Sequence, residues 1–343
     1  MPSEKEIIEI MDGLLPQRRL NRCNESDCEI IVLGGKRFLY STDEFSAEDR
    51  FCERDPSLLG WNVAAGAISD IYACGGVPIY YAHSLTVAKT WDTAFVEGFG
   101  RGVAKALRKS GARFIGGDCG QAQAWRCCVS VIGACKGAPI TRVGARPGHG
   151  IYLSGRIGAG NIQAALDVIP LGELSVSQFS GMRFPLRGKE ALLIRRHASS
   201  CIDTSDGVWK AISILADING CGYAIDALPY HRAGGLLTKA ASLPQIMLFL
   251  GEGGEYELLF TVPADREREF TKEAHKNGMR FYRLGVITEN GRTAADGNDT
   301  IDLRSLKIEA RGFDSTQRYL RALTDWFLLQ KPGDPDAEVN HGA

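Results

Sequence analysis

Hydrophobic residues recur at helical spacing in three segments of the first half of the chain. Apolar positions in residues 4–15 predict an N-terminal helix that ends before Pro16, because proline cannot continue a helix. The Ala-rich residues 58–74 are followed by a Gly-Gly pair, and the amphipathic residues 91–110 are followed by Gly111. Glycine commonly ends a helix, so both segments are also predicted to be helical.

Short apolar runs between these helices predict strands. Residues 29–33 and 37–40 flank Gly34-Gly35, a pattern typical of a β-hairpin, and Thr42 and Asp43 are expected just after the second strand. Further strands are predicted at residues 78–87, 113–115 and 127–135. Together these elements predict one α+β unit.

Glycine and proline residues in 142–150 predict a domain boundary, after which a second set of elements begins. Helices are expected at residues 161–168, 190–197, 207–219, 235–241 and 315–329, strands at 151–154, 223–225, 258–262 and 281–286, and a loop at 171–186. We divide the chain into an N-terminal domain (1–145), a C-terminal domain (146–314) and a terminal helix with a frayed tail (315–343). The predicted fold class is α+β or α/β.

Composition narrows the class of partner. The chain has 343 residues, 44% of them hydrophobic, and a formal net charge of −1. Such a chain can bury a full core, and its near-neutral charge argues against a nucleic-acid surface. No apolar run reaches the roughly 20 residues that span a bilayer, and residues 1–10 do not resemble a signal peptide. The ten cysteines lack CxxC spacing, which argues against zinc. We expect a cytoplasmic protein that binds small molecules.

Short clusters that contain aspartate lie beside the predicted strands and helices. They are Asp27, Ser41-Thr42-Asp43, Ser69-Asp70, Gly116-Gly117-Asp118 and Asp203-Thr204-Ser205-Asp206-Gly207. Magnesium in proteins is usually held by one or two carboxylates together with substrate phosphates. The strand ends of α/β proteins are also where their chemistry is concentrated. The pattern therefore predicts a magnesium-nucleotide site.

Each cluster also has a simpler structural explanation. Asp118 could cap a glycine-rich turn, and Ser205 or Asp206 could cap the helix that follows. Asp70 would be costly on a buried helix face unless it binds something, but unremarkable on a solvated one. Arg142 could reach a phosphate or lie on the surface. These alternatives stay open at the level of single residues.

Several familiar enzyme classes find no support in the motifs. The glycines of residues 155–160 do not follow the Gly-x-Gly-x-x-Gly order of a dinucleotide fingerprint, and no Gly-x-x-x-x-Gly-Lys-Ser/Thr segment occurs. The six histidines form no metal-spaced pair, and no hydroxyl lies in a nucleophile elbow. Rossmann, P-loop and triad hydrolase mechanisms are therefore disfavoured.

The order and spacing of the aspartate clusters resemble those of the thiamine-monophosphate kinase family, within the aminoimidazole ribonucleotide synthetase superfamily. The resemblance is carried by Ser41-Thr42-Asp43, residues 59–62 and 68–78, Ile115-Gly116-Gly117-Asp118, residues 141–148 and 202–208, and Tyr256-Glu257-Leu258-Leu259-Phe260. It implies a two-domain fold whose N-terminal domain pairs across a homodimer barrel, with a mixed-sheet C-terminal α/β domain and ATP in the cleft between the domains.

The same resemblance implies roles for individual residues. The implied magnesium ligands are Asp27, Thr42, Asp43, Asp70, Asp118, Asp203 and Asp206. The implied nucleotide contacts are Gly117, Asp118, Arg142 and Ser205, and the implied substrate contacts are Arg50, Glu255 and Phe313. No side chain is assigned as a catalytic acid, base or nucleophile, because transfer to an ionised phosphate oxygen needs positioning and charge neutralisation more than proton removal.

This chain departs from the family pattern on the substrate side. Arg50-Phe51 stands where the family has His-Phe, and Gly254 and Glu255 stand where it has Glu and Asp. The expected activity is magnesium-dependent phosphorylation of thiamine monophosphate by ATP. Two alternatives remain: an ATP-dependent enzyme that phosphorylates another phosphate or an amide or carbonyl oxygen, and a non-catalytic nucleotide-binding dimer.

Overall fold

The computed structural model describes residues 4–49, 51, 54–165 and 183–330. Its first half contains a five-stranded sheet, and three helices precede or connect the strands. The strands are β1 (Glu29–Leu33), β2 (Lys36–Ser46), β3 (Val77–Ala88), β4 (Arg113–Ala122) and β5 (Arg126–Ala134), and the helices are α1 (Glu4–Leu14), α2 (Pro56–Ala73) and α3 (Thr93–Ser110).

The strand order in this sheet is β1-β2-β5-β3-β4, so β4 lies at one edge. Pairing is antiparallel except between β3 and β4, which run parallel. One transverse row of the sheet joins Asp43, Val129, His83 and Gly117, in that order. This row fixes how far the aspartate of β2 lies from the glycines of β4.

Helix α2 is the central element of the molecule and is almost entirely buried. It begins at Pro56, whose missing N–H is harmless at the first helical position, and the Asp55 side chain accepts hydrogen bonds from the next free N–H groups. Glycines let α2 and α3 approach closely: a Cβ added to Gly102 would lie 2.0 Å from the Ser57 carbonyl oxygen. Ser69 and Asp70 lie near the C-terminal end of α2.

The second half contains a seven-stranded mixed sheet in the order β12-β11-β8-β10-β6-β9-β7. Its strands are β6 (Gly150–Leu153), β7 (Ser200–Asp203), β8 (Gly222–Ile225), β9 (Leu258–Val262), β10 (Tyr282–Thr288), β11 (Arg292–Asp296) and β12 (Asp299–Asp302). Its helices are α4 (Ala159–Ala165), α5 (Gly188–His197), α6 (Val208–Asn219), α7 (Arg232–Ala240), α8 (Met247–Leu250), α9 (Ala264–Lys276) and α10 (Thr316–Gln330).

One hydrophobic core joins the two halves. Ile71 and Ala73 of α2 belong to the same buried cluster as Cys201 of β7 and Phe260 of β9. The edge of the second sheet therefore packs close to the C-terminal end of α2. This packing places the aspartate that ends β7 beside the aspartate in the last turn of α2.

The predicted elements are largely found, with two corrections that concern candidate ligands. Thr42 and Asp43 lie within β2 rather than after it, and Gly116-Gly117-Asp118 lies within β4 rather than at its end. Both strands continue beyond their apolar runs because their polar residues still pair with neighbouring strands. The predicted helix at 161–168 begins at Ala159, and the structure describes it as far as Ala165.

Other predictions fall partly outside the described residues. The predicted loop at 171–186 is described only from residue 183, and the predicted frayed tail only as far as residue 330. Within the described ranges, no helix is both long and apolar enough to cross a membrane.

Candidate metal and nucleotide site

Three aspartates from distant parts of the sequence meet near the end of α2. Asp27 precedes β1, Asp70 lies in the last turn of α2, and Asp203 ends β7. One carboxylate oxygen of each lies within 4.8 Å of the others. We call these three residues the carboxylate cluster. Oxygen atoms gathered at this spacing suit a hard divalent cation such as magnesium.

Serine hydroxyls orient two members of the cluster. Ser41 Oγ donates to Asp70 Oδ2 at 2.6 Å, Ser69 donates to Asp203, and Ser205 Oγ donates to Asp203 Oδ1 at 2.9 Å. These hydrogen bonds hold the carboxylates of Asp70 and Asp203 in fixed orientations and leave their negative charges in place. Ser41 and Ser69 belong to the clusters listed from the sequence, but no metal, nucleotide or substrate role was assigned to them.

Asp27 is held by one arginine and keeps an oxygen free. Arg142 Nη2 donates to Asp27 Oδ1 at 2.9 Å, whereas Asp27 Oδ2 is buried and has no hydrogen-bond partner in the described part of the chain. Burial opposes the charge of Arg142, but the adjacent Asp27 carboxylate raises the pKa of the guanidinium overall. A buried carboxylate oxygen without a donor is costly, and a cation would satisfy it.

The electrostatics of the site also fit a cation. Burial, followed by the charges of the neighbouring carboxylates, raises the pKa of Asp70 well above its usual range. The same causes raise the pKa of Asp43 to about 7 and that of Asp203 to about 6. The charge of Asp203 acts on Asp43, so Asp43 belongs to the surroundings of the cluster. Several carboxylates this close resist ionisation together unless positive charge lies among them.

Other predicted ligands are not brought to the cluster. The hydroxyl of Thr42 contacts Ser130 Oγ at 3.3 Å and lies on the opposite face of β2 from Asp43, because side chains alternate along a strand. Asp118 is exposed on β4, three strand spacings from Asp43, or about 14 Å. Gly117 lies in that same edge strand. Their assignments as metal or nucleotide contacts stay predictions.

A cavity of about 210 Å³ opens beside the cluster. Its lining includes Ser205 and Asp206, which follow Asp203 in the sequence, and Tyr256. The charge of Asp203 is among those that raise the pKa of Tyr256, after burial, so this side chain lies between the cavity and the carboxylates. Tyr256 has the left-handed backbone angle φ of +52°, which is strained for a residue other than glycine.

The three predicted substrate contacts have different positions. Glu255 does not line the cavity: it is 2% exposed, and its carboxylate accepts hydrogen bonds from the N–H groups of Gly158 at 2.8 Å and Gly160 at 3.1 Å. Phe313 is half-buried and packs against Tyr319, a residue of the cavity wall, with 5.9 Å between ring centroids. Arg50 lies outside the described residues. The placement of Glu255 favours a structural role instead of the predicted substrate contact.

A partly buried ion pair between Arg187 and Glu257 was missed in the sequence analysis. Arg187 Nε donates to Glu257 Oε2 at 2.6 Å, and Ser154 Oγ donates to the same oxygen at 2.5 Å. The pair anchors the start of β9 and thereby the strained Tyr256 next to it. The only signal in the sequence was the Tyr-Glu-Leu motif, which does not identify the arginine partner.

Comparison with known families assigns the two halves to one family. The model for the N-terminal domain of AIR synthase related proteins matches residues 25–135, and the model for the C-terminal domain of the same proteins matches residues 146–298. The chain belongs to the AIR synthase related protein family. The family resemblance recognised in the sequence motifs is therefore confirmed.

Within this family the chain is similar to thiamine-monophosphate kinases. The Escherichia coli K12 enzyme is 29% identical over 273 residues, which are 76% of this chain and 82% of that enzyme. The Archaeoglobus fulgidus enzyme is 23% identical over 320 residues, which are 90% of this chain and 97% of that enzyme. The similarity thus extends over most of both relatives.

A solved structure supports the predicted fold. AaThiL complexed with AMPPCP and TMP superposes with a TM-score of 0.73 at 22% sequence identity, covering 85% of this chain and 93% of that chain. The predicted two-domain α+β fold of the AIR synthase type is confirmed. The exact boundaries at residues 145 and 314 stay predictions.

Proposed function

We propose that this protein is a magnesium-dependent kinase that transfers a phosphoryl group from ATP to thiamine monophosphate. The observation that carries the proposal is the carboxylate cluster, three convergent and largely buried aspartates with a free oxygen on Asp27. The names of the relatives supply the reaction, and the neighbouring structure with AMPPCP and TMP supplies the ligand classes.

The residues present fit magnesium. Asp27, Asp70 and Asp203 would hold the ion, and Asp43 would contribute its charge from β2. Bound magnesium neutralises the phosphate oxygens of ATP and the charge that develops during transfer. The serines keep the carboxylates oriented, and Arg142 keeps Asp27 in place. The accepting phosphate oxygen is already ionised, so no side chain has to remove a proton.

The proposal includes a homodimer formed through the five-stranded sheet. Strand β4 is an unpaired edge, and its residues Phe114 and Ile115 are 52% and 58% exposed. Long exposed edges with apolar side chains are rare in isolated soluble proteins because they invite pairing with another chain. A dimer would cover this edge. Gly117 and Asp118 would then lie at the interface, next to residues of the partner chain.

A second candidate reaction uses the same metal site with another acceptor. It is favoured by Glu255, which departs from the family residue and points into the protein instead of into the cavity. An ATP-dependent enzyme could then phosphorylate a different phosphate or an amide or carbonyl oxygen. A non-catalytic nucleotide-binding dimer is the third candidate, and only turnover distinguishes it from the other two.

The test is to incubate purified protein with ATP, magnesium chloride and a panel of acceptors, and to quantify ADP and each phosphorylated product by chromatography. The proposal expects thiamine diphosphate from thiamine monophosphate and negligible ADP without an acceptor. ADP formation with a different acceptor alone would favour the second candidate. ATP binding without any product across the panel would favour the non-catalytic dimer.

A further inference from the structure

One wall of the cavity contains two polar groups whose hydrogen-bonding capacity is not filled within the described residues. Glu252 Oε2 accepts a hydrogen bond from the main-chain N–H of Ala310 at 2.9 Å, but Glu252 Oε1 is buried and makes no hydrogen bond within the described residues. Tyr319 is 6% exposed; its hydroxyl lies beside the main-chain N–H of Glu252, and its own proton has no acceptor within the described residues. Both side chains line the cavity.

Unsatisfied buried groups of this kind are rare in native proteins, because each costs roughly 1–3 kcal/mol when it is left without a partner. A ligand that supplies hydrogen-bond donors would satisfy the Glu252 carboxylate. The Tyr319 hydroxyl can both donate and accept, so it could bond to the same ligand. The two groups therefore point to a recognition site in this wall.

The rest of the lining indicates what the ligand carries. Three further acidic residues, Glu48, Asp49 and Asp206, face the same cavity, with a single basic residue, Arg311, among the described lining residues. The lining also includes apolar side chains, among them Leu237, Leu243, Met247, Leu248 and Leu320. This combination suits a flat nitrogen heterocycle with N–H donors or positive charge, because acidic walls favour cations and apolar walls cover a ring.

Glu252 lies close to Gly254 and Glu255, where this chain departs from the family pattern. The chain thus lacks the family's Glu and Asp at positions 254 and 255 but has a carboxylate two residues earlier. Glu252 lines the cavity, whereas Glu255 does not.

We propose that Glu252 and Tyr319 determine acceptor specificity by binding the N–H donors of a nitrogen heterocycle in the acceptor. Glu252 Oε1 accepts from the exocyclic amine, and the Tyr319 hydroxyl bonds to a neighbouring polar atom of the ring. The inference rests on the proposed function for the identity of the acceptor, but it concerns recognition and not transfer. A site built to bond a donor rejects an analogue that lacks it far more strongly than an apolar pocket rejects a change of size.

The test compares two ligands that differ at one group. Thiamine monophosphate carries an amine on its pyrimidine ring, and oxythiamine monophosphate carries oxygen there. Their dissociation constants are measured by calorimetry for the full-length wild type, Glu252→Gln and Tyr319→Phe, with magnesium and a non-hydrolysable ATP analogue present. Glu309→Gln is the matched control, because Glu309 is an exposed acid near this wall that pairs with Lys210 outside the cavity lining.

We expect the wild type and the control to prefer the amine by at least tenfold. Glu252→Gln should reduce that preference at least fivefold, because a glutamine amide can donate to the oxygen analogue. Tyr319→Phe should weaken binding of the amine ligand by at least threefold, and neither variant should change affinity for the nucleotide. If both variants keep the wild-type preference for the amine over the oxygen analogue, the inference is wrong. It is also wrong if the wild type binds neither ligand.

Turnover separates this inference from the kinase proposal. If the wild type binds the amine ligand through Glu252 but forms no thiamine diphosphate, the kinase proposal fails and the recognition site stands. If Glu252→Gln and Tyr319→Phe form thiamine diphosphate with the wild-type KM, the recognition site fails and the kinase proposal stands.

Discussion

At the scale of single residues, the proposed metal site implies that the metal-free protein is destabilised by repulsion between buried carboxylates. Burial raises the pKa of Asp43, Asp70 and Asp203, and neighbouring carboxylates add to it: Asp203 acts on Asp43 and Asp70, and Asp27 acts on Asp203. Removing one charge relieves this repulsion but also removes a ligand. Metal-free stability and metal affinity should therefore change in opposite directions.

Asp70→Asn tests this opposition. We expect the variant to melt at the same temperature as the wild type or higher in EDTA, and to lose most of the increase that magnesium chloride gives the wild type. The measurement is the melting temperature with and without magnesium. Asp314→Asn, an acid with a 67% exposed side chain, should behave like the wild type. A full magnesium response in Asp70→Asn would show that this residue holds no ion.

Glu255 predicts a pH dependence of stability that is independent of the metal. Burial raises its pKa to about 8 in the folded protein, although the N–H groups of Gly160 and Gly158 favour the ionised form. The unfolded chain has a pKa near 4.5 at this position. Between these values the folded state holds a proton that the unfolded state has lost, so this contribution to stability is present at low pH and is lost as pH rises to 8.

We expect Glu255→Gln to flatten the fall in urea midpoint between pH 5.5 and pH 8 in EDTA, because glutamine does not titrate. The exposed Glu97→Gln on α3 serves as the control and should keep the wild-type slope. If the slope of Glu255→Gln equals that of the wild type, the carboxylate is already ionised in the folded protein at neutral pH.

At the scale of elements, α2 positions the site, and a glycine of α3 lets the two helices lie close together. Gly102 has no room for a side chain: an added Cβ would lie 2.7 Å from the Trp61 nitrogen as well as 2.0 Å from the Ser57 oxygen. Gly100, two residues earlier in the same helix, has nothing within 4 Å of an added Cβ. The two positions form a matched pair.

Gly102→Ala should lower the free energy of unfolding by about 1–3 kcal/mol, because the helices must separate. Gly100→Ala should raise it by roughly 0.5–1 kcal/mol, because alanine loses less conformational freedom in a helix. Urea denaturation followed by circular dichroism measures both. Equal effects of the two substitutions would contradict the close approach of α2 and α3.

The sequence predicted long elements with regularly spaced apolar residues better than elements that bury only one or two residues. Helices α2 and α3 were found within two residues at each end because their apolar spacing and terminal glycines are strong signals. Helix α9 was missed because Phe270 and Ala274 are its only buried residues, so it carries little apolar pattern. The short strands β11 and β12 were missed for a similar reason, since only their central residues are buried.

The three residues of the carboxylate cluster were among the candidates predicted from the sequence, but their geometry was not predictable. Motif spacing identified Asp27, Asp70 and Asp203, yet their convergence depends on the packing of β7 against α2, which connects positions more than a hundred residues apart. Glu252 and Tyr319 were not assigned as substrate contacts, because nothing in the sequence shows that an acid in a glycine-rich segment and a helical tyrosine line one cavity.

At the scale of the whole molecule, the exposed edge of β4 predicts that the protein is a dimer in solution. Ile115→Lys places a charge in this edge and should convert a species of twice the 37.3 kDa chain mass into a monomer. Size-exclusion chromatography with light scattering measures the mass. Leu192→Lys, on a 40% exposed leucine of α5, should leave the dimer intact. A monomeric wild type would contradict the dimer.

The measurement that tests the central claim most directly follows ADP and thiamine diphosphate in the same reaction, for the wild type and Asp70→Asn. With magnesium, ATP and thiamine monophosphate, the wild type should form the two products in equal amounts and stop when EDTA is added. Asp70→Asn should be slower by at least about 100-fold, because a lost metal ligand removes several kcal/mol of charge stabilisation. Equal rates in the two proteins, or product formation that EDTA does not stop, would contradict a magnesium-dependent kinase site at the carboxylate cluster.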